Sequence, residues 1–389
     1  MIPPLLVFLM LLLTFVAWVS LPFIPAILEL MRPRDASPLT GVGTDAGDLT
    51  WFADGFRRYA SAVGLVSELE ARYGAPLGFG ETAPTRAEPL TTFQLRDRTS
   101  VRVLRSATLA QQLATTPGQP MIGDRVPDDL RDIIVIDVAA QLPELLAIDR
   151  EVFARADFIG GAGMRMRALL ASRTADLAMD TVIVRWVHAD GPLLVGRGST
   201  LFGRATSNTD MRLAGGVRFE RIMAPRIIVG AEDDAFIPAP MTDTVHGEPW
   251  ARPMSDRITR MSPDTLRVHG DLIVPAGAIV SGNLVVMGAL VLEQGSQLHG
   301  SAKARHGMQL VGLNIVTGSL TSARDMHIGE RSRVSGPVIG ERVVHVHENA
   351  YVGTPHGQTT VTAEEIVLER GVTIYGAAAA RTAGRTATG

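Results

Sequence analysis

The chain has 389 residues, 46% of them hydrophobic, and a formal net charge of -3 at pH 7. This length suffices for two or three folded units with sizeable cores. The absence of cysteine excludes disulfides, thiolate metal sites and cysteine nucleophiles. Because there is neither net positive charge nor a long basic run, we expect no nucleic-acid partner.

Residues 1–30 form an apolar leader with no charged residue between positions 2 and 28. About 20 apolar residues in a helix span the ~30 Å hydrocarbon layer of a bilayer. A cleaved signal peptide is the alternative, but the basic n-region and a small-x-small cleavage site are missing. We therefore predict one transmembrane helix. Arg32 and Arg34 follow it, so the positive-inside rule places the C-terminal bulk of the chain in the cytoplasm.

Residues 31–47, rich in Pro and Gly, read as a linker. After the linker, an apolar stripe at spacings of three and four predicts an amphipathic helix that packs in a core, with a partner groove or a membrane-surface face as the alternative. The stripe comprises Phe52, Phe56, Tyr59, Val63 and Val66. Residues 101–104 and 133–136 predict buried strands, with a helix over 106–115 between them. Together these elements predict a small α/β membrane-proximal region at residues 48–155.

Short β-like runs follow, and Gly198 and Gly216 are 18 residues apart. They predict a first β-helical segment at residues 156–232. Residues 233–264 carry several prolines and no repeat, so we expect an inserted loop there.

A repeat dominates residues 265–376. Its marker glycines are spaced 18, 18, 18, 17 and 18 residues apart: Gly282, Gly300, Gly318, Gly336, Gly353 and Gly371. Glycine turns left-handed without steric penalty, so we interpret each as a corner of the chain. Aliphatic residues between the corners stack on their equivalents one coil away. The repeat predicts a mainly β fold, a three-sided parallel β-helix of about 18 residues per coil. The small, polar tail at 377–389 is predicted to be disordered.

The corners have the form V-x-G-x followed by an aliphatic residue, as in Val280-Ser-Gly282, Val316-Thr-Gly318 and Val334-Ser-Gly336. In these corners residues 265–376 resemble the bactofilins, the polymer-forming cytoskeletal family of bacteria; residues 156–232 resemble them more weakly. The resemblance implies a right-handed β-helix, nucleotide-independent assembly and attachment to the bacterial inner membrane. Bactofilins are rods with short tails, whereas this chain carries a long N-terminal region that could cap one rod end.

Three histidines are candidate metal ligands. His327 and His345 are 18 apart, so they lie one above the other, and His347 shares the face of His345. Three imidazoles could bind zinc or nickel. However, Val344 and Val346 alternate with them and should face inward, which predicts a solvated outer ladder, and no carboxylate or thiol in the pattern completes a ligand set. We predict no metal site and no cofactor.

No catalytic constellation emerges from the remaining candidates. The adjacent carboxylates at residues 128–129 and 233–234 lack the opposed geometry of a glycosidase pair and predict solvated turns. The Gly-rich runs at 160–163 and 196–198 lack the lysine of a phosphate loop and are interpreted as corners. His299 and His306 fall in other columns and are predicted to be merely exposed.

The sequence therefore predicts a single-pass, membrane-anchored, non-catalytic scaffold. Its β-helix ends would self-associate, or the rod would dock membrane-bound envelope or exopolysaccharide-synthesis machinery. The alternative is a hexapeptide-repeat acyltransferase or another carbohydrate-active β-helix enzyme, because aliphatic or small residues recur every six positions from Val274 to Val316. Against it, Leu284, Leu290 and Met308 occupy places where that repeat wants small residues.

Overall fold

The structure is a computed structural model that describes residues 10, 49–76, 78, 90–105, 132–139, 141–230 and 257–388. Two helices lie in these ranges, α1 (Trp51–Ala62) and α2 (Leu65–Tyr73). No helix of the described residues is long and apolar enough to cross a membrane. The predicted membrane segment at 1–30, apart from Met10, and the linker at 31–47 lie outside the description, as does the helix predicted at 106–115.

Before residue 231 the described chain forms twelve strands, most of them only three to eight residues long. They are β1 (Leu90–Gln94), β2 (Ser100–Leu104), β3 (Asp132–Ile136), β4 (Ala147–Ala154), β5 (Phe158–Ile159), β6 (Arg165–Ala171), β7 (Ala175–Leu177), β8 (Val182–Ala189), β9 (Leu193–Val195), β10 (Thr200–Ser207), β11 (Asp210–Leu213) and β12 (Arg218–Val229). The predicted strands at 101–104 and 133–136 are thus confirmed.

From residue 257 onward eighteen further strands are described. They are β13 (Ile258–Ser262), β14 (Thr265–Val268), β15 (Leu272–Val274), β16 (Ile279–Ser281), β17 (Asn283–Val286), β18 (Leu290–Leu292), β19 (Gln297–His299), β20 (Ala302–Ala304), β21 (Met308–Gly312), β22 (Ile315–Val316), β23 (Leu320–Ser322), β24 (Met326–Glu330), β25 (Arg333–Val334), β26 (Val338–Gly340), β27 (Val343–Val346), β28 (Tyr351–Val352), β29 (Thr359–Leu368) and β30 (Thr373–Thr386).

Parallel pairing between successive coils makes a three-sided solenoid twice over. In the N-terminal solenoid (β3–β12), Thr200 pairs with Val182 on one side and Arg218 on the other, 18 residues away each time. In the C-terminal solenoid (β14–β30), Val316 pairs in the same way with Leu298 and Val334. The predicted parallel β-solenoid of about 18 residues per coil is confirmed, and the whole stack has about 13 turns.

The coils begin earlier in the chain than predicted. Ile133 of β3 already pairs with Glu151 of β4, so residues 132–155 belong to the solenoid and not to a separate α/β region. The sequence was misleading here because β3 is buried on both faces. Ile134 faces the solenoid core, whereas Ile133 and Val135 face a second core under the helices.

The two helices cover one outer flank of the N-terminal solenoid. Phe56 of α1 packs against Phe153 and Trp186, with ring centroids 6.1 Å apart in both pairs. The core-packing interpretation of the apolar stripe is confirmed for Phe56 and Val63, which are buried, but wrong for Val66, which is 36% exposed. The reason is Gly64: its left-handed conformation (φ 79°) starts a second helix that presents other residues, Leu65 and Leu69, to the core.

The two solenoids join through an antiparallel pair, β12 with β30. Ile222 lies opposite Ala378, and Ile227 lies opposite Ile374. A single hydrophobic core runs through both solenoids. The prediction of a disordered tail at 377–389 is therefore wrong for the described residues 377–386. Their small side chains suit a strand enclosed between β12 and β29, and composition alone does not reveal such pairing.

The opposite end of the C-terminal solenoid carries its own antiparallel strand. Ile258 of β13 pairs with Val268 of β14. The inserted loop predicted at 233–264 thus includes a strand, whose pairing covers the outer edge of β14; residues 231–256 lie outside the description. Among the described strands, β15 and β16 pair only toward the next coil, with β18 and β19. We call the outer edges of β15 and β16 the open end.

The marker glycines are needed for two different reasons. Gly282 has a φ of 101°, as a left-handed corner requires. Gly318 and Gly336 do not have positive φ values. A Cβ on Gly318 would lie 2.5 Å from the carbonyl carbon of Gly300, and one on Gly336 would lie 2.6 Å from that of Gly318. Their conserved spacing within this chain therefore reflects the close approach of successive coils.

Candidate functional site

The three histidines lie on the outer side of one face of the C-terminal solenoid, close to the junction. His327 of β24 pairs with His345 of β27 in the next coil, and His347 directly follows β27. Val344 and Val346 are fully buried, so the predicted outward direction of the histidines is confirmed. We call His327, His345 and His347 the histidine ladder.

The rings of the ladder touch one another. The ring centroids of His345 and His347 are 4.1 Å apart and those of His327 and His347 are 5.7 Å apart. Nδ1 of His327 lies 3.4 Å from Nε2 of His347. One ring nitrogen from each histidine falls within a sphere of atoms no more than 4.8 Å apart. Parallel stacking at ~4.8 Å per coil is what brings these three rings together.

A carboxylate that the sequence pattern did not indicate completes the cluster. Oε1 of Glu369 lies 2.7 Å from Nε2 of His345 and 3.1 Å from Nδ1 of His347. Its other oxygen accepts the backbone N–H of Glu348 at 3.1 Å, which fixes the carboxylate in place. The expectation that no carboxylate lies beside the histidines is therefore wrong.

An irregular coil explains why the pattern missed Glu369. A strict repeat of 18 would place Glu365 beside His347. Instead β27 pairs with β29 at an offset of 22, Val346 with Leu368, because the chain inserts an extra turn closed by the Thr354–Gly357 bridge. The insertion moves Glu369 next to the ladder. The same shift removes Gly371 from the column of Gly282.

The cluster is electrostatically coupled. Burial lowers the pKa of His345, and the neighbouring His347 and His327 lower it further, while Glu369 acts in the opposite direction. At neutral pH His345 is therefore uncharged, the form in which an imidazole has a lone pair to donate. The other histidines considered, His299 and His306, stand on other parts of the coil surface, as predicted.

A second polar chain, which sequence reasoning missed, is enclosed between α1 and the N-terminal solenoid. Nδ1 of His188 lies 2.7 Å from Oγ1 of Thr206, and its Nε2 lies 3.3 Å from Oδ1 of Asp190. Arg57 of α1 pairs with the same carboxylate. His188 is 1% exposed and Thr206 2%, so this hydroxyl–imidazole–carboxylate line is enclosed and anchors the helix. Only the 18-residue spacing of His188 and Thr206 hinted at it.

The other sequence candidates behave as corners or fall outside the description. A Cβ on Gly196 would lie 2.5 Å from the carbonyl carbon of Ala178 in the preceding coil. Gly163 and Gly198 have positive φ values of 67° and 73°. These glycines serve chain turning and coil stacking. The carboxylate pairs at 128–129 and 233–234 are not among the described residues.

Comparison with known proteins assigns no family. No protein-family profile, no curated protein and no solved structure matches this chain. The functional argument therefore rests on the fold and on the surfaces described above.

Proposed function

We propose that the protein is a non-catalytic scaffold: a membrane-anchored β-solenoid rod that self-associates through its open end or docks membrane-bound envelope or polysaccharide-synthesis machinery. The observation that carries the proposal is the β12–β30 junction. It joins two solenoids into one hydrogen-bonded stack with a single core, which makes a rigid rod from one chain. The resemblance of the coils to bactofilins, with their right-handed helix, belongs to the same proposal. The acyltransferase alternative stays an untested prediction.

The open end is the surface through which we propose that two copies meet. Strand edges with unpaired N–H and C=O groups are templates for pairing with another chain. The β12–β30 junction already pairs two solenoid ends of this chain in an antiparallel manner, with β12 residues 227–228 of one side meeting β30 residues 373–374 of the other. By the same geometry β15 of one copy pairs with β16 of the second. This contact is self-complementary, so it closes as a symmetric dimer.

A proline in β15 tests the contact. Leu272 donates its N–H to Ala289 in the next coil, and N–H groups alternate in direction along a strand, so the N–H of Ile273 points toward the open end. Ile273→Pro removes that donor from the edge, whereas the matched control Ile273→Thr keeps it. Ile273 is 55% exposed, so neither change opens the core. Sedimentation of the full chain in detergent should give dimers for wild type and control and monomers for the proline variant. A monomeric wild type would overturn the dimer.

Membrane attachment is tested separately. We expect the full chain to remain with the membrane fraction after an alkaline carbonate wash, because an apolar segment of this length partitions into the bilayer. A variant lacking residues 1–30 should be released. Release of both proteins by the wash would remove the anchor from the proposal while leaving the rod intact.

A further inference from the structure

We propose that the histidine ladder binds a divalent transition-metal ion of the Zn²⁺ class. Nothing in this step depends on the scaffold function, because it rests on ring nitrogens and a carboxylate that the coils hold in place. The ion would sit on the outer face of the C-terminal solenoid, two coils before the junction.

The spacing of the nitrogens suits a tetrahedral ion. Zn–N bonds of 2.0–2.1 Å place two tetrahedral ligands about 3.3 Å apart. Nδ1 of His327 and Nε2 of His347 are 3.4 Å apart, and the third histidine, His345, offers a nitrogen within 4.8 Å of both. Small side-chain rotations on the coil surface are enough to bring all three into contact with one ion. Three protein ligands leave the fourth tetrahedral position to water.

Glu369 prepares two of the rings for this role. Its Oε1 accepts the Nε2–H of His345 and the Nδ1–H of His347, which assigns the tautomer of both rings. In each ring the opposite nitrogen then carries the lone pair, and in His347 that nitrogen is the one facing His327. A histidine ligand whose second N–H is held by a carboxylate is the common arrangement of protein metal sites.

The donor set selects the class of ion. Imidazole nitrogens favour Zn²⁺, Cu²⁺ and Ni²⁺, whereas Mg²⁺ and Ca²⁺ take oxygen ligands. The set draws on three successive levels of the stack, β24, β27 and the end of β29. An ion bound there therefore cross-links these coils and stabilises the folded state over the unfolded chain, in which the ligands are far apart.

The test is a Zn²⁺ titration of the full chain in detergent, purified on a tag without histidine and dialysed against a chelator. Calorimetry should show one saturable site per chain, and bound Zn²⁺ should raise the melting temperature. Co²⁺ in its place should show the intense visible bands of four-coordinate cobalt. Failure of Zn²⁺ to bind saturably overturns the proposal.

Variants separate this site from other surface histidines. The double change His327→Ala, His347→Ala should abolish the site, whereas the matched control His299→Ala, His306→Ala removes as many imidazoles elsewhere and should bind as wild type. Glu369→Gln should weaken Zn²⁺ by about 10–100-fold, the usual effect of losing a carboxylate behind a ligating histidine. Melting of each variant without metal verifies that it folds. Equal weakening by the ladder and control pairs, or binding by the ladder variant at wild-type affinity, rejects the assignment.

Discussion

Ile222 of β12 lies directly opposite Ala378 of β30, and the strands that carry them run antiparallel although every other inter-coil pair of the two solenoids is parallel. The chain therefore climbs the N-terminal solenoid and re-enters at the far end of the second one. It then descends until its last strand closes on β12. Its C-terminal residues form the centre of the stack.

The central position of β30 predicts a strong effect of polarity there. Ala378→Asn places an amide between β12 and β29 at a site that is 0% exposed, so we expect a loss of at least ~2 kcal/mol from an unsatisfied polar group and overpacking. Ala383→Asn, on the exposed side of the same strand, should change stability little. Thermal unfolding measures both. Equal melting temperatures would contradict the junction.

Coil stacking predicts which glycines tolerate a methyl group. Gly318→Ala should destabilise by about 1–3 kcal/mol, because its Cβ would meet the backbone of Gly300 at 2.5 Å. At Gly307 the nearest atom is 3.4 Å away and φ is not positive, so Gly307→Ala should be nearly neutral. Chemical denaturation of the two variants distinguishes them. A neutral Gly318→Ala would mean that adjacent coils are further apart at this corner.

The helices on the flank should detach when their aromatic anchor is removed. Phe56 is 6% exposed between Phe153 and Trp186, so Phe56→Ala should cost about 3–5 kcal/mol of the contact. Hydrogen exchange over residues 51–73 should accelerate, while exchange in the coils of the C-terminal solenoid stays slow. The surface change Val66→Ala is the control. Unchanged protection of the helices in Phe56→Ala would show that other contacts hold them.

His188 predicts acid sensitivity. Burial lowers its pKa, and the positive charge of Arg57 lowers it further against the opposing effect of Asp190. The unfolded histidine takes up a proton near pH 6.5 while the folded one does not, so stability is present above that pH and falls below it, by at most ~1.4 kcal/mol per pH unit. We expect wild type to lose more stability between pH 7.5 and 5.5 than His188→Gln does. Parallel pH curves for the two proteins would exclude His188 as a contributor.

The candidate site was predictable only in part. Residues 327 and 345 stack because the coil between them keeps the repeat of 18, and the alternation with Val344 and Val346 fixes their outward direction. Glu369 escaped notice because four extra residues lie in the coil before it, and a repeat cannot indicate how the chain absorbs an insertion. The His188–Asp190–Arg57 chain escaped notice because it joins a helix to a coil more than 100 residues away.

By itself the sequence determined the coil: inward aliphatic residues and glycines recurring every 18 positions dictate parallel stacking, because each lap must bury its apolar side against the next. Only the tertiary structure decided the antiparallel closure of β12 on β30, the helical cover of one flank and the company of Glu369. These contacts join segments of different periodicity. Their energy comes from pairing edges and covering apolar faces that are distant in the chain, where no local pattern records which segment arrives.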